Sequence, residues 1–141
     1  MGPWFWSKAE SNGTPTSAKE SACVGERLLE LCDELEDLQG DIPRASRNDF
    51  YFHKTIAEAT NNEFMVAMFD VLEGALMETR VATFGMEPSR IRRVAKAHRA
   101  IALAIADRDP DAARQAMLDH LIEVKITWDQ HPEYLTGHPQ E

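Results

Sequence analysis

The segment NDFYFHKTIAEATNN, residues 48–62, places an acid and an imidazole four positions apart on a stretch with amphipathic helical spacing. On a helix that spacing puts Asp49 and His53 on one face, one turn apart. Two further histidines point where a core should be. His98 follows Val94 by four and precedes Ile101 and Ala102 by three and four, and His120 lies among Ala113, Ala116, Met117, Leu121 and Val124. One histidine on an apolar face is more often a hydrogen-bonded core residue than a ligand, and Asp49 alone reads as a charge favouring a helix N-terminus. Burying all four together leaves several polar groups to satisfy, each costing about 1–3 kcal/mol if unpaired. A divalent cation satisfies them at once, since neutral imidazole and carboxylate are ordinary ligands for zinc, nickel, manganese or iron. The remaining chemistry is sparse. His131 and His138 fall in a polar tail, Glu58 and Glu73 suit a solvated face and supply no evident general base, and Cys23 and Cys32 are too far round a helix to bridge.

Helices must position these residues. Val24, Leu28, Leu31, Leu35 and Leu38 recur at steps of four and three until Gly40, which predicts a first helix. DIPRAS reads as a loop, with a second helix from Asn48 to Thr60 and a break at Asn61–Asn62. A third, strongly apolar helix follows from Glu63 to Phe84. Pro88 and Ser89 open a fourth carrying Ile91, Val94, Ala95, His98, Ile101, Ala102 and Ile105 on one side. Asp109 as cap, Pro110 at the first helical position and Asp111 in the first turn start a fifth, running to Gln130. No segment alternates with period two and no glycine-rich phosphate loop is present. The expected fold is all-α, an antiparallel bundle of about five to six helices. It occupies residues 23–130, between a flexible arm at 1–22 and a polar tail at 131–141. Trp4, Phe5 and Trp6 in the arm are given no function.

Composition narrows the partners. The 141 residues, 43% of them apolar, suffice for one core and so for one domain. Lys and Arg number 15 against 24 Asp and Glu, a net charge of −9, so no nucleic-acid backbone is attracted to this chain alone. No apolar run reaches the roughly 18 residues of a membrane span, and the opening MGPWFWSKAE lacks a signal-peptide pattern. A cytoplasmic protein that does not enter membranes is expected.

The order D-x-x-F-H, IAEATNN, H-R-A-I-x-x-A-I-A-D-R-D and A-A-R-x-A-M-x-x-H-L resembles the C-terminal effector-binding (FCD) domain of FadR-type GntR transcription regulators, over about residues 24 to 128. Asp49, Phe52, His53 and Asn62 fall in the first blocks, and His98, Ile101, Ala104, Ile105, Asp109, Ala113 and His120 in the later ones. The resemblance implies a buried divalent metal held by Asp49, His53, His98 and His120, with zinc the first expectation and nickel or manganese the alternatives. It also implies a small carboxylate effector on the metal's remaining positions and a homodimer. Arg80, sharing a face with Leu76, Met77 and Phe84, is the expected effector-binding arginine, against a surface role; Arg92 and Arg93 read as surface ion-pair residues. Asn62 is the second effector-side candidate, against a role in shaping the turn. The family's winged helix-turn-helix has no counterpart in residues 1–23, and its first effector-domain helix falls where this chain is polar. DNA is therefore expected only through a domain this sequence does not contain, and the bundle is expected to be one helix short. The competing expectations are a metal-dependent hydrolase or lyase acting on a small organic acid, and a ligand-free remnant bundle.

Overall fold

Leucines spaced by three and four residues make α1 (Ala18–Asp37), with Leu28, Leu31, Cys32 and Leu35 on its buried side. The computed structural model describes residues 18–87 and 89–131; the aromatic cluster at Trp4–Trp6, Pro88, His138 and nearly all of the expected tail lie outside them. The helix begins ahead of the expected boundary, at Ala18 inside the stretch read as an arm. Ala18, Lys19 and Glu20 are good helix formers, but the first turn has no apolar stripe for periodicity to reveal. Gly40, at φ +87, takes the left-handed conformation that ends the segment.

Helix α2 (Ile42–Ala59) starts before Asn48, so the expected DIPRAS loop is helical. The cause is a cap: Asp41 accepts a hydrogen bond from the Arg44 amide at 3.2 Å, and Pro43 sits in the first turn, where its missing N–H costs nothing. Asn61, at φ +52, turns the chain into α3 (Glu63–Met86). Helix α4 spans Arg90–Ala106 and α5 Pro110–Gln130, with Asp109 accepting from the Ala112 amide at 2.9 Å as its sequence predicts.

Among the described residues the fold is all-α, five helices and no strand. Helix α1 packs on α2 and α4, α2 on α3, and α4 on α5. Two apolar clusters result. Leu28, Leu31, Phe52, Ile56 and Ile101 anchor one; Leu35, Phe84, Ile91 and Val94 anchor the other. Each fully buried side chain of this kind contributes about 1.5–3 kcal/mol. The α1–α4 contact is tight enough that a Cβ on Gly25 would lie 2.6 Å from the Ala106 Cβ. The helix richest in apolar residues, α3, buries the least: only Thr83 and Phe84 are fully enclosed, and Phe64 and Val71 are 71% and 80% exposed. No described helix is long and apolar enough to cross a membrane.

Candidate metal centre

Three helices converge on one point. Helix α2 brings Asp49 and His53, one turn apart, α4 brings His98 and α5 brings His120, and one ligand atom from each lies within 4.8 Å of all the others. The Nε2 of His98 is 3.3 Å from Asp49 Oδ1, and that of His53 is 4.0 Å from it. The rings of His98 and His120 are 4.8 Å apart, and those of His53 and His120 are 5.3 Å apart.

Proximity here is not hydrogen bonding. His98 is fully enclosed, yet among the described residues neither of its ring nitrogens has a hydrogen-bond partner, and His120 Nδ1 has none either. Such orphaned buried groups are costly unless something absent from the polypeptide meets them. Charge points the same way. Burial pushes the His53 imidazole down to about 4 against the pull of Asp49, and burial likewise lowers His98 and His120. Neutral imidazole is the ligating form. Burial alone would raise Asp49, but the surrounding His53, His98, Arg80 and His120 outweigh it and hold the carboxyl down to about 2. Three neutral imidazoles and one carboxylate, converging without bonding one another, fit a divalent cation.

Neighbours fix the set in place. Phe52, fully buried, stacks on the His98 ring at 3.9 Å and 5° between planes. Arg80 donates from Nε to Asp49 Oδ2 and from a terminal nitrogen to the Leu76 carbonyl at 3.0 Å. Arg80 thus reaches inward, to the carboxylate of the cluster and to the wall of the adjoining cavity.

A cavity of about 280 Å³ adjoins the cluster, with Asp49, His53, Arg80, Arg90 and His120 on its polar side and a largely apolar remainder. Asn62 stands where a turn-shaping residue would. It is exposed and outside this cavity, and its side-chain oxygen accepts from the Phe64 and Met65 amides at 3.1 and 3.3 Å, which makes it the cap of α3. Arg92 is exposed and Arg93 is held by Glu87 and Glu123, so neither enters the cavity. Arg90 does, and sequence reasoning passed over it. The available signal was that Arg90 precedes Val94 by four, on the face that carries His98.

Comparison with known proteins places residues 24–123 in the FCD domain. The chain is 33% identical over 114 residues to a protein of Escherichia coli (strain K12) provisionally named an L-lactate dehydrogenase operon regulatory protein, covering 78% of this chain and 43% of that one. It is 33% identical over 104 residues to the HTH-type transcriptional repressor NanR of Cronobacter sakazakii, covering 73% and 40%. To the HTH-type transcriptional regulator LutR of Bacillus subtilis it is 28% identical over 105 residues, covering 71% and 48%. The chain therefore spans less than half the length of these relatives. No solved structure matches it. The match across most of the chain, carried by an all-α bundle of this form, means that the chain belongs to the FCD domain family, as a GntR-type effector-binding domain.

Proposed function

We propose that this chain binds a divalent cation through Asp49, His53, His98 and His120 and senses a small organic acid in the adjoining cavity, as the regulatory part of a GntR-type transcription regulator. The observation that carries this reading is the set of buried imidazole nitrogens at the cluster that have no hydrogen-bond partner among the described residues. A bound cation supplies a Lewis-acidic centre that attracts a carboxylate. Zinc is the first candidate for this donor set, with nickel and manganese behind it. Arg80 holds Asp49 in its ionised, ligating form and orients it, while Phe52 fixes the plane of His98. The effector acts by favouring one of two arrangements of the bundle, or of a homodimer, which requires different affinity for each. We place this action in the cytoplasm, where DNA would be reached through a separate winged-helix domain.

Asp49 is the sole acid among the described residues that line the cavity, and it belongs to the ligand set. Among the described lining residues no carboxylate is left over as a general base, which favours a sensor over a hydrolase or lyase. Elemental analysis of protein purified without a metal-affinity column tests the proposal. Near-stoichiometric zinc, nickel or manganese is expected, and its loss in an Asp49→Ala, His120→Ala variant that keeps its helical circular dichroism. Metal-free wild type, even after reloading, would leave only the ligand-free bundle.

A further inference from the structure

Two guanidiniums line the cavity, and among the described residues only that of Arg80 is in direct contact with a carboxylate. Arg80 is matched by Asp49. Arg90, 1% exposed, makes no ion pair among the described residues. The one side-chain hydrogen bond that Arg90 makes among the described residues runs from a terminal nitrogen to the Thr127 hydroxyl, which in turn donates to the Glu123 carbonyl at 3.1 Å. The Glu123 carboxylate is engaged with Arg93 at 3.2 Å. A guanidinium stays charged throughout the physiological range; burial weighs against this one, Glu123, Glu87 and Asp49 offset that in part from a distance, and a buried charge with no carboxylate in contact is costly. The fork of N–H donors that Thr127 leaves free matches a carboxylate bidentately.

We infer that Arg90 is a second anion anchor in this cavity, and that the organic acid sensed by the domain carries two anionic groups, one directed to the cluster and the other paired with Arg90. This rests on the cation-and-acid reading given above. Charge supports it: with a divalent cation bound, Arg80 and Arg90 would face Asp49 as the one carboxylate among the described lining residues, and Glu123, which acts on Arg90 from further off, is already bonded to Arg93, so the cavity would stay positive enough for a dianion. Size supports it as well. About 280 Å³ lies at the small end of ligand sites, which suits a short-chain dicarboxylate. Arg90 opens α4, while His53 and His120 stand on α2 and α5, so one short dianion would tie three helices together.

The test is calorimetric titration of the zinc-loaded full chain with malate and succinate, and with lactate as the monocarboxylate of similar chemistry, comparing wild type with Arg90→Met. Methionine removes the charge while still filling part of the arginine's volume. Wild type is expected to bind a dicarboxylate at least tenfold more tightly than lactate. In Arg90→Met that preference should fall about tenfold to a hundredfold, the worth of a charge-assisted pair, while lactate affinity and zinc content hold. The variant without ligand should melt no lower than wild type. An arginine with a structural role alone would behave otherwise: a lower melting temperature and an unchanged malate-to-lactate ratio would overturn the inference. Wild type that binds lactate as tightly as any dicarboxylate overturns the second anchor and leaves the sensor standing. Zinc-loaded wild type that binds none of the acids overturns both.

Discussion

The face-to-face contact of Phe52 with His98 fixes the ring of a candidate ligand by packing, because among the described residues neither nitrogen of that ring is held by a hydrogen bond. Phe52→Leu keeps an apolar side chain there and removes the flat support. We expect it to cost about 1–1.5 kcal/mol of metal-free stability and to weaken zinc about tenfold, read by thermal melting and by competition with a chelator. Unchanged zinc affinity would mean that the stack is core packing without influence on the ligand. The cysteines give a separate check. Burial pushes the Cys32 thiol up to about 12, partly against Arg99, whereas Cys23 is exposed. Iodoacetamide should therefore label the native protein once, at Cys23, and reach Cys32 only in denaturant. The four candidate ligands were legible because each polar residue stood out against apolar neighbours at helical spacing. Arg80 and Arg90 were legible only in part. The Asp49 partner of Arg80 is 31 positions away, a distance local periodicity does not report, and Arg90 sits beside Arg92 and Arg93, where a charged helix start reads as solvated surface.

At the scale of the helices, the same substitution should act with opposite sign in two places. Gly25 lies where α1 meets α4, and an added Cβ would fall 2.6 Å from Ala106 Cβ and 2.9 Å from its Cα. Because backbone and not just a movable side chain is in the way, Gly25→Ala should separate the helices and destabilise by about 1–3 kcal/mol, despite alanine's better helix propensity. Gly74, inside α3, has open space where a Cβ would stand, with nothing within 4 Å. There Gly74→Ala should stabilise by about 0.5–1 kcal/mol. Urea denaturation of both variants decides the pair, and equal signs would contradict the packing. Helix existence and order were readable from the sequence, as was the start of α5, where Asp109, Pro110 and Asp111 combine three signals. The start of α2 was not, although Asp41 and Pro43 form a similar cap. Turn-forming residues make that stretch read as a loop, while the buried positions Ala45 and Ser46 that show it packs are small and give no apolar stripe.

For the whole molecule, the exposure of α3 carries the consequence. A helix this apolar would ordinarily fill the core, yet it packs chiefly on α2 and leaves Phe64, Met68, Val71 and Leu72 in contact with solvent. Leu121, Ile122 and Ile126 of α5 are exposed too. Apolar residues gathered on one face suit an interface, and the homodimer proposed above is the occupant we assign to the α3 face. A net charge of −9 works against two copies associating. The attraction is then apolar and the repulsion electrostatic, so salt should strengthen the dimer by screening, the reverse of an interface built on ion pairs. Sedimentation equilibrium across a salt series should show a dimer that tightens with ionic strength. Phe64→Glu with Val71→Glu should give a monomer at every salt concentration. Neither residue lines the cavity or belongs to the cluster, so zinc content should be retained. A variant pair that remains dimeric would move the interface elsewhere, and one that loses zinc as well would show that the α3 face and the metal centre are coupled.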